Sequence, residues 1–125
     1  MNVQQTFDAI AAIANQPVCS RSVEGENVWM DSPMVRECSV QRTITLRKEN
    51  ESCIVYEEKT EIKPDYEDGS IVNTKIIVLA FAVNGSATVT DESTGSITVY
   101  EKIYNNIIEE IFSDTALFRN HSRLD

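Results

Sequence analysis

The sequence predicts an α+β domain, an antiparallel sheet with one dry face and an amphipathic helix to cover it. Three stretches carry that prediction. Val40 to Pro64 reads as two strands and a polar turn: Val40, Ile44 and Leu46 fall on one parity, and Gln41, Thr43, Thr45 and Arg47 on the other. Ile71 to Val83 is a long apolar strand, apolar on both parities in its second half, and is expected to be central and covered on both sides. Tyr100, Ile103, Tyr104, Ile107, Ile108, Ile111 and Phe112 recur at helical spacing, with Glu101, Lys102, Asn105, Asn106, Glu109 and Glu110 opposite them.

Taken in order, residues 2–15 support two readings. Val3, Phe7, Ile10, Ala11 and Ala14 form a helical stripe, yet Val3, Gln5, Phe7 and Ala9 also alternate as a strand would; the alanines favour helix, and Pro17 closes the segment. Val18 to Val23 and Asn27 to Met30 are two short extended pieces around Glu24-Gly25-Glu26, with a second turn at Asp31-Ser32-Pro33. Trp29 reads as a core or interface anchor. In the central hairpin, Lys48 to Ser52 is the turn; the second arm sets Tyr56 and Ile62 against Val55, Glu57, Lys59 and Glu61, and Pro64 ends it.

Asp65 to Ser70 is an acidic loop, read as a solvated connection before a divalent-ion cage. Asn84-Gly85 is a hairpin turn or a bulge, and Ser86 to Thr90 alternates again. The run from Asp91 to Ser96 reads as a helix start, with Thr98 and Glu101 as a capping box for a helix to Phe112. Ser113-Asp114-Thr115 breaks that helix before a short helical turn from Ala116 to Asn120.

The totals bound the function. A chain of 125 residues, 42% apolar and 25% charged, makes one domain with a modest core. No run is long enough to span a membrane and no export signal is visible, so a cytosolic protein is the expectation. Twenty acidic against eleven basic residues give a net charge of −9, which argues against coating nucleic acid by net charge and leaves room for a basic stripe on one face. Most acids fall on expected loops and on the outer side of the last helix. Cys19, Cys38 and Cys53 make neither a zinc pattern nor an even disulfide set; they read as small buried residues, with a bridge to another subunit open only in an oxidising medium.

Catalysis is not expected. There is no nucleophile motif, phosphate loop or zinc spacing, so no cofactor or metal is implied. The lone His121 sits in a polar tail, and Glu57 and Glu61 share a strand face without the split environments that acid–base work needs.

Arg42-Thr43-Ile44-Thr45-Leu46-Arg47, with its apolar–Arg end before a polar turn, resembles a strand of the coat proteins of single-stranded RNA bacteriophages. Tyr56 to Pro64 is similar to the strand that follows in that family. Thr88 to Thr94 leading into Tyr100 to Phe112 is similar to its last strand, its Ser/Thr-rich cap and its first helix. The resemblance covers about two-thirds of the chain and implies a single coat-protein domain over residues 1–125. It implies an antiparallel sheet whose C-terminal helices lie over a partner's sheet in an interlocked dimer. Such dimers would assemble into an icosahedral shell around a single-stranded RNA genome, in the virion and in the host cytoplasm during assembly. The interface would then be Tyr100, Ile103, Tyr104, Ile107, Ile108, Ile111 and Phe112. The RNA face would be Thr43, Thr45, Arg47, Val55 and Lys59, flanked by Glu57 and Glu61, with the cations on phosphates and the hydroxyls on bases or sugars. A second function class fits the same composition: a small acidic partner-binding module, such as a secretion chaperone or a nucleic-acid-mimicking inhibitor.

Overall fold

The computed structural model describes residues 1–14, 19–23, 26–31, 34–35, 38–64 and 69–118. The elements run α1 (Val3–Ala14), β1 (Cys19–Val23), β2 (Glu26–Asp31), β3 (Met34–Val35), β4 (Cys38–Asn50), β5 (Cys53–Pro64), β6 (Ile71–Phe81), β7 (Ala87–Asp91), β8 (Ser96–Tyr100) and α2 (Asn105–Phe112). The strands form one antiparallel eight-stranded sheet in the order β1-β2-β4-β5-β6-β7-β8, with β3 pairing β4 off that path. The α+β antiparallel architecture is therefore observed. His121, the Asp65-to-Asp68 stretch and the end of the Ala116-to-Asn120 turn lie outside the described residues.

Of the two readings of the N-terminal stretch, helix is the one observed, over Val3–Ala14, and the reason is local. Asn2 Oδ1 accepts from the Gln5 amide at 2.8 Å, and Gln5 Oε1 accepts from the Asn2 amide at 3.0 Å. This reciprocal pair satisfies two of the donors that a helix start leaves open. The tight turns share a different device. In Asn50-Glu51-Ser52, Asn84-Gly85-Ser86 and Asp91-Glu92-Ser93, the first side chain accepts from both the amide and the hydroxyl of the serine two residues on. Gly85 and Gly95 complete two of these turns at φ of 89° and 75°, a region open to glycine at little cost.

Three expectations need correction. The stretch from Ser96 to Tyr100 is strand β8 rather than the start of a helix, so Thr98 caps nothing and α2 begins only at Asn105, behind Tyr104. Ile97, Thr98 and Val99 are β-branched and alternate, and the turn ending at Gly95 folds them back onto β7. The arms of the central hairpin run further than expected, to Asn50 and from Cys53. The second half of β6 is fully covered on one side only: Ile77 and Leu79 are buried, while on the other parity Ile76 and Val78 are half-buried and Ala80 is exposed.

One face of the sheet is dry. Ile44 and Leu46 of β4, Ile54 and Tyr56 of β5, Ile77 and Leu79 of β6, and Ala87 and Val89 of β7 pack against Ile10 of α1 and Ile108 and Phe112 of α2. Tyr56 and Phe112 meet edge to face with ring centroids 5.1 Å apart. Truncating Phe112 to alanine removes that contact and opens a cavity, a loss of about 3–5 kcal/mol.

A polar node sits inside this core. Glu58, 5% exposed, faces inward; its Oε1 accepts from the Tyr56 hydroxyl at 2.8 Å and from the Ala116 amide at 2.6 Å. Burial first, and then the charge of Glu58, push the Tyr56 hydroxyl far above the ordinary tyrosine range. Its folded pKa exceeds its unfolded one. Its contribution to stability is therefore whole below a pH of about 10 and is lost as the pH rises further. Denaturant titrations at stepped alkaline pH are expected to show stability falling above that point, with phenolate absorbance from Tyr56 appearing only on unfolding. Tyr56→Phe should be about 1 kcal/mol less stable at neutral pH and should lose less on going alkaline. An unchanged alkaline slope in the variant would assign the effect to another group.

Candidate functional site

The face opposite the helices is built by the other parity of strands β4 to β8, and the register lays it out in rows. Thr43 stands opposite Lys59, Thr45 opposite Glu57, and Arg47 opposite Val55. Val55 stands opposite Val78, Val78 opposite Thr90, and Thr90 opposite Ile97. All five residues expected to touch RNA therefore share one face, with Glu57 and Glu61 among them.

Their surfaces differ. Lys59 is exposed, and Thr43, Thr45, Arg47, Glu57 and Glu61 are half-buried. Val55 is only 4% exposed, so it offers a ligand no surface and drops out of the contact set. It fills the row between Arg47 and Val78. Arg47 lies 3.9 Å from Glu49, an ion pair in which both side chains are partly solvated.

The open face thus divides in two. Over β4 and β5 it is polar, with Arg47 and Lys59 offset by Glu57 and Glu61. From Val78 outward it is apolar and hydroxylated, through Thr88 and Thr90 to Ile97 and Val99 on the terminal strand β8. That apolar half was not read from the sequence. Its signal is the alternation of Ile97 and Val99, which lie where the helix start and capping box are expected.

The residues expected at a dimer interface are distributed unevenly. Ile103, Ile108 and Phe112 are buried in this chain's own core, and Tyr100, Ile107 and Ile111 are partly buried against it. Tyr104 is exposed.

Two grooves flank α2. One, of about 350 Å³, lies between the helices and is lined by Ala9, Ala12, Ile13, Asn105, Ile108 and Glu109. The other, of about 180 Å³, lies between α2 and the dry side of β7 and β8, where Asp91, Ser96, Thr98, Tyr100 and Glu110 meet. Burial acts to raise the Asp91 carboxyl. Hydrogen bonds from the Ser93 hydroxyl and amide, with Lys75 at 3.8 Å, outweigh it and hold Asp91 below the usual carboxylate range. Burial and then Glu110 push the Tyr100 hydroxyl up. Cys53 is a free, half-buried thiol, raised by burial and by Glu49, which keeps it in its less nucleophilic form at neutral pH. Among the described residues no group of three His, Cys, Asp or Glu side chains is placed to hold a metal ion. No described helix is long and apolar enough to cross a membrane.

No family model, curated protein or solved structure matches this chain. The likeness to phage coat proteins rests on the sequence stretches alone.

Because Arg47 and Lys59 are partly or fully solvated, their charges belong to the surface and not to the fold. Replacing both with alanine is expected to change unfolding stability by less than about 1 kcal/mol in urea titrations. A larger loss would make the pair structural and remove them from the candidate site.

Proposed function

We propose that this protein is a self-assembling structural subunit of the phage-coat kind, which dimerises, builds a shell and holds single-stranded RNA on the open face of its sheet. The observation that carries the reading is the one-sidedness of the sheet. Both helices cover one face, and the other presents threonine hydroxyls, Arg47 and Lys59 beside an apolar half. Hydroxyls and cations on a broad sheet suit an unpaired strand, whose phosphates and splayed bases need both. In a two-fold assembly each copy contributes the same patch, so a local basic surface is compatible with a net charge of −9. The interlocked arrangement belongs to this reading too: residues 101–104 link β8 to α2, and a helix exchanged between copies would repeat over a partner's sheet the contacts Ile108 and Phe112 make here.

Glu57 and Glu61, alternating with Lys59, favour a second reading, in which the face meets a protein surface of mixed charge. Purified protein separates the two. A coat subunit elutes as large particles carrying nuclease-sensitive RNA, visible by electron microscopy; a partner-binding module elutes small and free of RNA. In particles, Arg47→Ala with Lys59→Ala should lower RNA content and flatten the salt dependence of binding to labelled RNA. Equal uptake and an unchanged slope would clear this face of the role.

A further inference from the structure

We propose that Asn84 is a site of spontaneous covalent modification: the Gly85 nitrogen displaces its side-chain ammonia, leaving aspartate and isoaspartate in the turn between β6 and β7. This does not depend on the reading of the open face as an RNA surface.

Asn84-Gly85 is the sole Asn-Gly pair in the sequence. An asparagine amide is lost when the backbone nitrogen that follows it bonds to Cγ. The attacking nitrogen gives up its hydrogen, a five-membered imide ring closes, and the departing nitrogen gains a proton and leaves as ammonia. Water then opens the ring at either carbonyl. One opening gives aspartate on the ordinary main chain; the other gives isoaspartate, with the main chain routed through Cβ and Cγ. The sum is one water consumed and one ammonia released, with no oxidant or cofactor. Approach to the nitrogen limits the step, and every residue but glycine screens it with a Cβ.

The turn meets those needs. Asn84 is exposed, and a Cβ built on Gly85 would meet nothing within 4 Å, so no neighbour crowds the glycine. Asn84 Oδ1 accepts from the Ser86 amide at 3.0 Å and from the Ser86 hydroxyl at 2.7 Å. That oxygen gains negative charge when Cγ is attacked, so donors already in place favour the step. One bond opposes it: the Gly85 amide donates to the Ala82 carbonyl at 3.0 Å and must be released first. Release costs little at this tip, where Ala82, Val83 and Asn84 are all exposed. The Asn50-Glu51-Ser52 turn is a built-in control. Ser52 donates to Asn50 in the same way, at 2.8 and 3.0 Å, but Glu51 stands where Gly85 does.

The two products differ in effect. Aspartate keeps the turn, as Asp91 shows by holding Ser93 through the same two bonds, at 3.0 and 2.6 Å. Isoaspartate lengthens the main chain by one carbon where Phe81 closes on Ala87. Ala87 is 1% exposed, so the distortion reaches the edge of the core. Either product adds one negative charge to the copy that carries it.

The test holds folded protein at mildly alkaline pH and samples it over time. Released ammonia and the mass of the Asn84 peptide follow loss of the amide, and an isoaspartyl methyltransferase labels the isoaspartate. Half of Asn84 is expected to be converted before conversion is detected at Asn50, at a rate independent of protein concentration. Aged protein should melt below fresh protein. Asn84→Asp, which carries the turn-preserving product from the start, should melt with fresh protein and release no ammonia from this position. An intact Asn84 in folded protein, or conversion no faster than at Asn50, would overturn the proposal. So would conversion only after unfolding in urea, which would show that the bond to Ala82 prevails.

Discussion

Tyr56 and Glu58 hold this fold together from the middle of the sheet. They stand two residues apart on β5 and face the same dry side, one presenting a ring to Phe112 and the other a carboxyl oxygen to the Ala116 amide. The hydroxyl of the first donates to the second. The C-terminal part of the chain is therefore fixed by an apolar contact and a polar one at neighbouring points. Neither survives alone at full value, because a buried carboxyl without its donors costs more than the hydrogen bonds contribute when made.

That arrangement accounts for the asymmetry of the molecule. With α1, α2 and the 116–118 turn all on one side, the chain has no described helix left for the other. The open face must satisfy itself with threonines, charged side chains and a cross-strand apolar row. Its polar half costs little to leave in water. Its apolar half is the part with something to gain from a partner.

The fold was legible where one periodicity dominated. Apart from Arg42 on the apolar parity, Val40 to Leu46 alternates, and Ile44 and Leu46 are buried as that alternation predicts. Ile107, Ile108, Ile111 and Phe112 fall in a helix as their spacing requires. The failures came where two periods overlapped. Tyr100, Ile103 and Tyr104 continue the helical spacing backward, while Ser96 to Tyr100 alternates as a strand, and the longer pattern hid the shorter. Among the described residues, the Asx–x–Ser pattern at 50–52, 84–86 and 91–93 marks three tight turns, and at 91–93 it separates the strand pattern from the helical one. The candidate face was legible as a set of parities, because register follows from alternation. Exposure was not: nothing in the sequence says that Val55 is enclosed while Val99 is open, since that depends on neighbours in adjacent strands. Glu58 was invisible for the same reason, a carboxyl on a dry parity whose partner lies 58 residues away.

The bond between the Met1 ammonium and the Ile103 carbonyl, at 2.9 Å, joins positions 102 residues apart, and Ile10 packs in the same cluster as Leu117. Residues from α1 and from the stretch after α2 thus share one core. On a ribosome the strands from β1 to β7 would emerge while α2 is still being made, with Ile44, Leu46, Ile77 and Leu79 lacking the cover that Ile108 and Phe112 bring. Contacts this distant in sequence are expected to form late, leaving the uncovered sheet open meanwhile to pairing with that of a neighbouring nascent chain.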